Sequence, residues 1–216
     1  MFNLKKAVEV QERLSMRICT GGKPAAIRRV GGADCGYDLS GKRVVAVIVV
    51  MSWPELGMIE VSSAARPLAV PYIPGFLNFR EGPSILAAFR KLHFEPDICI
   101  VDGNGIAHPR KMGLASYVGV VLDICTIGCA KNPFYPCSSP KRERGAATLF
   151  ENERNERVGF CLRSRTGVKP VFVSPGHKIS HVAAKEVVLA CSTYRIPEPL
   201  RQAHLMAGKL ISLDHP

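Results

Sequence analysis

The sequence predicts an α/β fold: a central mixed sheet of three antiparallel strands followed by parallel strands, flanked by helices. Three observations carry this prediction. Residues 30–37 (VGGADCGY) and 43–51 (RVVAVIVVM) are strand-like runs joined by a turn-rich link at 38–41, which reads as a hairpin, and residues 58–70 supply a third strand. Short apolar runs then alternate with stretches at helical spacing, the mark of strand and helix in turn. Finally, Ile98, Cys99, Ile100 and Val101 form a continuous apolar run between Pro96 and the glycines Gly103 and Gly105, as expected of a strand buried on both faces.

Taken in order, residues 4–19 are expected to form a helix with Leu4, Val8, Leu14 and Ile18 on one stripe, stopped by Gly21 and Gly22. The three strands follow, and then residues 82–93 place Ile85, Leu86, Phe89 and Leu92 at helical spacing. After the 98–101 strand come a helix at 114–124, a strand at 126–130, strand candidates at 159–164 and 171–173, and a helix at 181–192 that closes the core. Residues 136–157, rich in charge, Ser and Gly, are read as a mobile basic excursion. Trp53 and the phenylalanines are assigned to the core. With 216 residues, 47% of them hydrophobic, and no polar linker, a single domain over residues 1–216 is expected.

No apolar run approaches the roughly 18 residues that span a bilayer, and the first residues, MFNLKKAVEVQERL, lack the apolar core of a signal peptide. A cytoplasmic protein without a membrane partner is therefore expected. The eight cysteines include no C-x-x-C pair, and Cys99, Cys125, Cys161 and Cys191 sit in apolar runs. They read as buried reduced thiols, against a disulfide scaffold, a zinc site or thiol chemistry. A formal net charge of +11 points to a polyanionic partner, foremost nucleic acid, but does not separate a nuclease from a passive binder.

The chemistry is placed at residues 95–113, where the 98–101 strand delivers Asp102 onto a glycine turn. His108, Arg110 and Lys111 follow within a few residues, which suits a site where a metal and a phosphate meet. The plainer reading is an aspartate capping the next helix. The strand order is the layout of ribonuclease H-like folds, which sets the first and fourth strands side by side. Asp34 and Asp102 would then face each other, offering the oxygen ligands a hard divalent cation needs. Glu81, just before the 82–93 helix, is the candidate third acid, or else it only favours that helix's N-terminus.

The segments PYIPGFLNFREGP, VDGNGIAHPRKMGLASYVGV, TIGCAK and SPGHKIS, spread over nearly the whole chain, resemble the endonuclease V family of deoxyinosine-directed nucleases. The resemblance implies a ribonuclease H-like fold and hydrolysis of the second phosphodiester bond 3′ to a deaminated adenine, leaving a 3′-hydroxyl and a 5′-phosphate. It implies Mg2+ as cofactor, with Mn2+ substituting, and damaged DNA containing deoxyinosine as partner. By motif position, Asp34, Glu81 and Asp102 match the metal-binding acids. Lys131 matches a basic residue near the scissile phosphate, and His177 one near the metal. Tyr72 matches a wedge into the duplex, beside Ile73 and Pro74, while Gly75, Leu77 and Gly103 fall where backbone groups line the pocket for the extruded base. Family members commonly carry histidine where this chain has Asn104, and often where it has Tyr117.

Plainer roles stay open for several of these residues. His108 and Arg110 either satisfy the turn after Asp102 or contact phosphate. Lys131 either is solvated or stabilises a developing oxyanion. Tyr72 either wedges or packs into the sheet. His93, His181, His204 and His215 are read as structural. The function expected is a monomeric repair nuclease; the alternatives are an inosine-specific RNA nuclease or a non-catalytic nucleic-acid-binding protein on the same fold.

Overall fold

The expected hairpin is formed by β1 (Arg29–Asp38) and β2 (Arg43–Ser52), which pair antiparallel over their whole length, and β3 (Met58–Pro67) adds to β2 in the same sense. On the other side of β1 lies β4 (Ile98–Val101), parallel to it, and then β5 (Thr126–Ala130), parallel to β4. The parallel run ends there. β6 (Ala147–Glu151), β7 (Arg157–Leu162) and β8 (Val171–His177) form an antiparallel meander that joins through β8 to β5, completing one eight-stranded sheet in the order β3-β2-β1-β4-β5-β8-β7-β6. This computed structural model describes residues 2–213, so His215 lies outside the described residues.

Helices cover both faces. α2 (Leu77–Phe89) and α3 (Leu114–Leu122) bury Ile85, Ala88, Phe89, Leu114 and Val118 against the odd-numbered side chains of β1 and β4, Ala33, Cys99 and Val101. α4 (His181–Ala190) and α5 (Glu198–Leu213) bury Val187, Val188, Leu200 and Ala203 against the even-numbered set, Val30, Ile98 and Ile100. The period of two in a strand sorts its side chains between these two cores.

Four expectations are corrected. α1 (Leu4–Ser15) buries Ala7 and Gln11, while Leu4 is exposed, so its inner face is not the apolar stripe. α2 begins at Leu77 and runs through Pro83, which places Glu81 inside the helix rather than before it. Pro83 reads as a helix start because proline suits the first turn, but burial of Asn78 and Glu81 keeps the preceding turn helical. Residues 136–157 hold regular structure and are tied to the fold: β6 lies within them, and the buried Arg163 donates to the carbonyl of Pro140 (2.9 Å), the Ser139 hydroxyl (3.1 Å) and the carbonyl of Lys141 (3.1 Å).

The fourth correction is α5, which the sequence reading passed over. It lies directly on β1 because two glycines there carry no side chain: a Cβ at Gly32 would stand 2.1 Å from the Pro199 carbonyl carbon, and one at Gly36 would stand 2.5 Å from Ile211 Cδ1. Glycine inside a buried strand marks such a close approach.

Candidate active site

Ala33 pairs with Val101 across β1 and β4, so Asp34 and Asp102, the next residues along, stand side by side at the centre of the sheet. The Asp102 amide donates to the Ala33 carbonyl (2.9 Å), which holds the two chains in register past the end of β4. Both acids continue the even-numbered face. Asp102 does not cap α3, whose N-cap is Gly113 with no side-chain hydrogen bond; its carboxylate instead accepts from Lys131 Nζ, at the end of β5.

Burial first, and then the charge of Asp102, push Asp34 up to about 6. Opposing them is His204, on α5, whose Nδ1 lies 2.7 Å from Asp34 Oδ2. Burial alone would lower the Lys131 ammonium, but the bond and charge of Asp102, with Asp34 behind it, raise it on balance. The arrangement is two packed carboxylates, each with one oxygen held by a nitrogen group.

Glu81 reaches the same cleft from α2, on the other face of the sheet. The Tyr37 hydroxyl donates to it, and Arg80 supports that tyrosine through a hydrogen bond of 3.2 Å from Nε and a guanidinium 4.7 Å from the ring centroid. Burial raises Glu81 to about 7, the Tyr37 bond opposing and the charges of Asp34 and Asp102 adding. Cys35 also lines the cleft, where burial and the three carboxylates hold its thiol protonated. Asp34, Glu81, Asp102, Gly103, Lys131 and Leu77 share this one opening.

The donor chemistry fits a hard divalent cation, since the acids offer only oxygen and burial raises Asp34 and Glu81 in its absence. Among the described residues no three His, Cys, Asp or Glu side chains converge closely enough to hold a metal alone. Asp34 and Asp102 are the pair whose oxygens would suit such a cation, with Glu81 on the wall of the same cleft.

Beside the cleft, sharing Leu77 with it, is a cavity of about 160 Å³ lined by Tyr72, Ile73, Pro74, Gly75, Asn78, Asn104, Met112 and Phe134. A void of roughly 150 Å³ accepts a benzene-sized ring, so this one has the scale of an aromatic base. Tyr72 stands at its mouth, 71% exposed, which excludes packing into the sheet. The carbonyl of Gly75, a residue at φ +81, accepts from Gln11 Nε2 (2.9 Å) and His108 Nε2 (2.9 Å), with Arg110 Nη2 at 3.3 Å.

The endonuclease V family profile matches residues 9–205. The endonuclease V of Dictyoglomus turgidum is 43% identical over 214 residues, covering 97% of this chain and 92% of that protein.

The chain belongs to the endonuclease V family.

Among solved structures, the endonuclease V of Streptomyces avermitilis superposes with a TM-score of 0.94 at 37% identity, covering 100% of this chain and 96% of that one. That of Ciona intestinalis, in complex with a 23mer DNA containing an inosine followed by a ribo-adenosine, does so with 0.86 at 27% identity, covering 98% of each. This endonuclease V homologue thus has the fold of its family over the whole length compared.

One expected site residue falls elsewhere. β8 runs antiparallel to β5, with Phe172 opposite Ala130 and His177 opposite Thr126, so His177 lies at the far end of β5 from Lys131. It is buried, accepts from the Cys19 amide at Nδ1 (3.2 Å) and stands 3.4 Å from Asp123 through Nε2. Besides Lys131, the basic residue beside the acids is His204, which sequence reasoning had set aside; the glycines of GGADCG, spaced to admit a helix against the Asp34 face, were the signal for it.

His108 and Arg110 also turn inward. His108 is 4% exposed, with Nε2 bonded to the Gly75 carbonyl and Nδ1 accepting from the Arg110 amide (3.2 Å), so both ring nitrogens are used within the fold. Arg110 covers the Phe76 ring at 4.8 Å and bonds Gln11. Both side chains bond the Gly75 carbonyl. Tyr117 packs its ring into the space that a Cβ at Gly82 would occupy, joining α3 to α2.

Proposed function

We propose that this chain is a DNA repair endonuclease of ribonuclease H-like fold that recognises deoxyinosine and hydrolyses the second phosphodiester bond 3′ to it, leaving a 3′-hydroxyl and a 5′-phosphate. Mg2+ is the proposed cofactor, with Mn2+ able to substitute. The observation that carries this reading is the carboxylate pair Asp34 and Asp102, bonded to His204 and Lys131, set against a base-sized cavity behind an exposed tyrosine. With it goes a monomeric, single-domain, cytoplasmic protein.

Asp34 and Asp102, assisted by Glu81, would hold the cation, which when bound supplies a water of lowered pKa and neutralises charge on the phosphate. Lys131 places an ammonium beside Asp102, where negative charge develops on the scissile phosphate. His204 holds a proton at Nδ1 toward Asp34 while its ring stays two-thirds exposed, open to water and to the leaving oxygen. Extruding a base costs a few kcal/mol, less where pairing is already weak, so a deaminated base is favoured before any contact forms. Tyr72 fills the gap, and Ile73, Pro74, Gly75 and Leu77 line the receiving pocket, with Gly103 in the adjoining cleft.

Inosine in RNA is the second reading, favoured by the ribo-adenosine that follows the inosine in the Ciona complex. The test is nicking of a duplex carrying one inosine. Cleavage between the first and second nucleotides 3′ to the lesion with Mg2+, and none after chelation, is expected; intact duplex under both conditions overturns the reading.

A further inference from the structure

The amide of Asn78 is held in one orientation by a hydrogen-bond relay that begins at a group able only to donate. Arg110 Nε donates to Gln11 Oε1, and a guanidinium has no acceptor, so the Gln11 oxygen must face Arg110. Its amino group therefore faces inward, where it donates to the Gly75 carbonyl (2.9 Å) and to Asn78 Oδ1 (2.8 Å). Both partners must be acceptors, which agrees with the carbonyl. Asn78 Nδ2 is what remains: a donor on a side chain only 1% exposed, with no partner. A second orphan lines the same cavity, Asn104 Oδ1, buried and without a partner.

A buried polar atom left unpaired is destabilising, so two in one base-sized void point to a ligand that satisfies both. We propose that Asn78 Nδ2 donates to the exocyclic carbonyl oxygen of the extruded base and Asn104 Oδ1 accepts from its ring N–H, making Asn78 a specificity-determining residue and Gln11 its positioning residue. A base with an amino group in place of that carbonyl would set N–H against N–H. This inference rests on the base occupying that cavity, as proposed above.

The experiment measures binding of single-stranded oligonucleotides carrying one hypoxanthine or one unsubstituted purine, in chelator so that no cleavage intervenes. Purine keeps the ring and loses both the carbonyl and the ring N–H. The folded wild type should favour hypoxanthine by roughly ten- to hundredfold, and Asn78→Ala should bring that ratio near one. Gln11→Glu keeps a partner for Arg110 but offers only acceptors to Asn78, which turns its amide round. The ratio should again collapse, while binding of adenine relative to purine rises. Thermal melting confirms that each variant is folded, and a merely structural role would move both oligonucleotides together. A ratio near one in the wild type, or an unchanged ratio in folded Gln11→Glu and Asn78→Ala, overturns the proposal. Failure of the nuclease reading is separate: the hypoxanthine preference would persist while no nick forms with Mg2+.

Discussion

His204 Nδ1 stands 2.7 Å from Asp34 Oδ2, joining two residues 170 positions apart in the chain at the centre of the sheet. α5 carries the histidine there because Gly32 and Gly36 let its backbone and Ile211 rest on β1. His204→Ala should lower kcat by at least about 100-fold, the scale of a positioned acid–base group. Because the imidazole is 66% exposed, the melting temperature should hardly move. His177→Ala supplies the contrast, since losing a buried ring should lower the melting temperature while folded enzyme keeps most of its rate. Equal rate losses in the two variants would argue against this placement.

Asp102→Asn should abolish nicking while leaving lesion binding largely intact. The change removes one charge of the pair and the ionic partner of Lys131, yet leaves the Tyr72 cavity untouched. Gel-shift affinity for an inosine duplex, measured beside the nicking rate in saturating Mg2+, separates the two effects. A near wild-type rate would count against the site.

Tyr72→Ala should slow cleavage of inosine in duplex DNA by roughly one to two orders of magnitude, since stacking on a base is worth about 1–3 kcal/mol and 1.4 kcal/mol is tenfold. Single-stranded substrate should suffer much less, because no partner strand has to be parted. With the ring 71% exposed, stability should be unaffected. Equal losses on both substrates would remove the wedge role.

Binding to undamaged duplex should fall steeply with salt. A net charge of +11 places many cations against phosphates, and each neutralised phosphate contributes nearly one unit to the slope of log affinity against log salt. A flat response from 50 to 200 mM salt would point away from nucleic acid.

His108 gives stability a distinct pH dependence. Burial first, then the charge of Arg110, lower it from 6.5 to about 4, the Gly75 bond opposing. The unfolded chain therefore binds the proton more tightly than the folded one. This contribution is complete above pH 6.5 and is lost as pH falls toward 4, roughly 2 kcal/mol of it between pH 7 and pH 5. His108→Gln can still donate to the Gly75 carbonyl but does not titrate. Urea unfolding at pH 7 and pH 5 should show the gap between wild type and variant shrinking by about that amount on acidification; a constant gap would rule out the neutral buried imidazole.

The strands that carry Asp34 and Asp102 were legible in the sequence, because alternation and continuous apolar runs are local patterns set by which faces a strand buries. The same holds for the hairpin and for α2, α3 and α4, although Pro83 misplaced the start of α2. Quoted motifs sufficed to identify Glu81, Lys131 and Tyr72 as candidates, since residue identity at fixed spacing survives without coordinates. What only the tertiary structure decided is every relation between distant segments: that α5 lies on β1 and brings His204, that antiparallel pairing of β8 carries His177 to the far end of β5, and that Arg110 sets the polarity of Asn78 through Gln11. Such relations depend on strand order, register and helix docking. No local period encodes them, because they arise only when surfaces far apart in the chain are buried against one another.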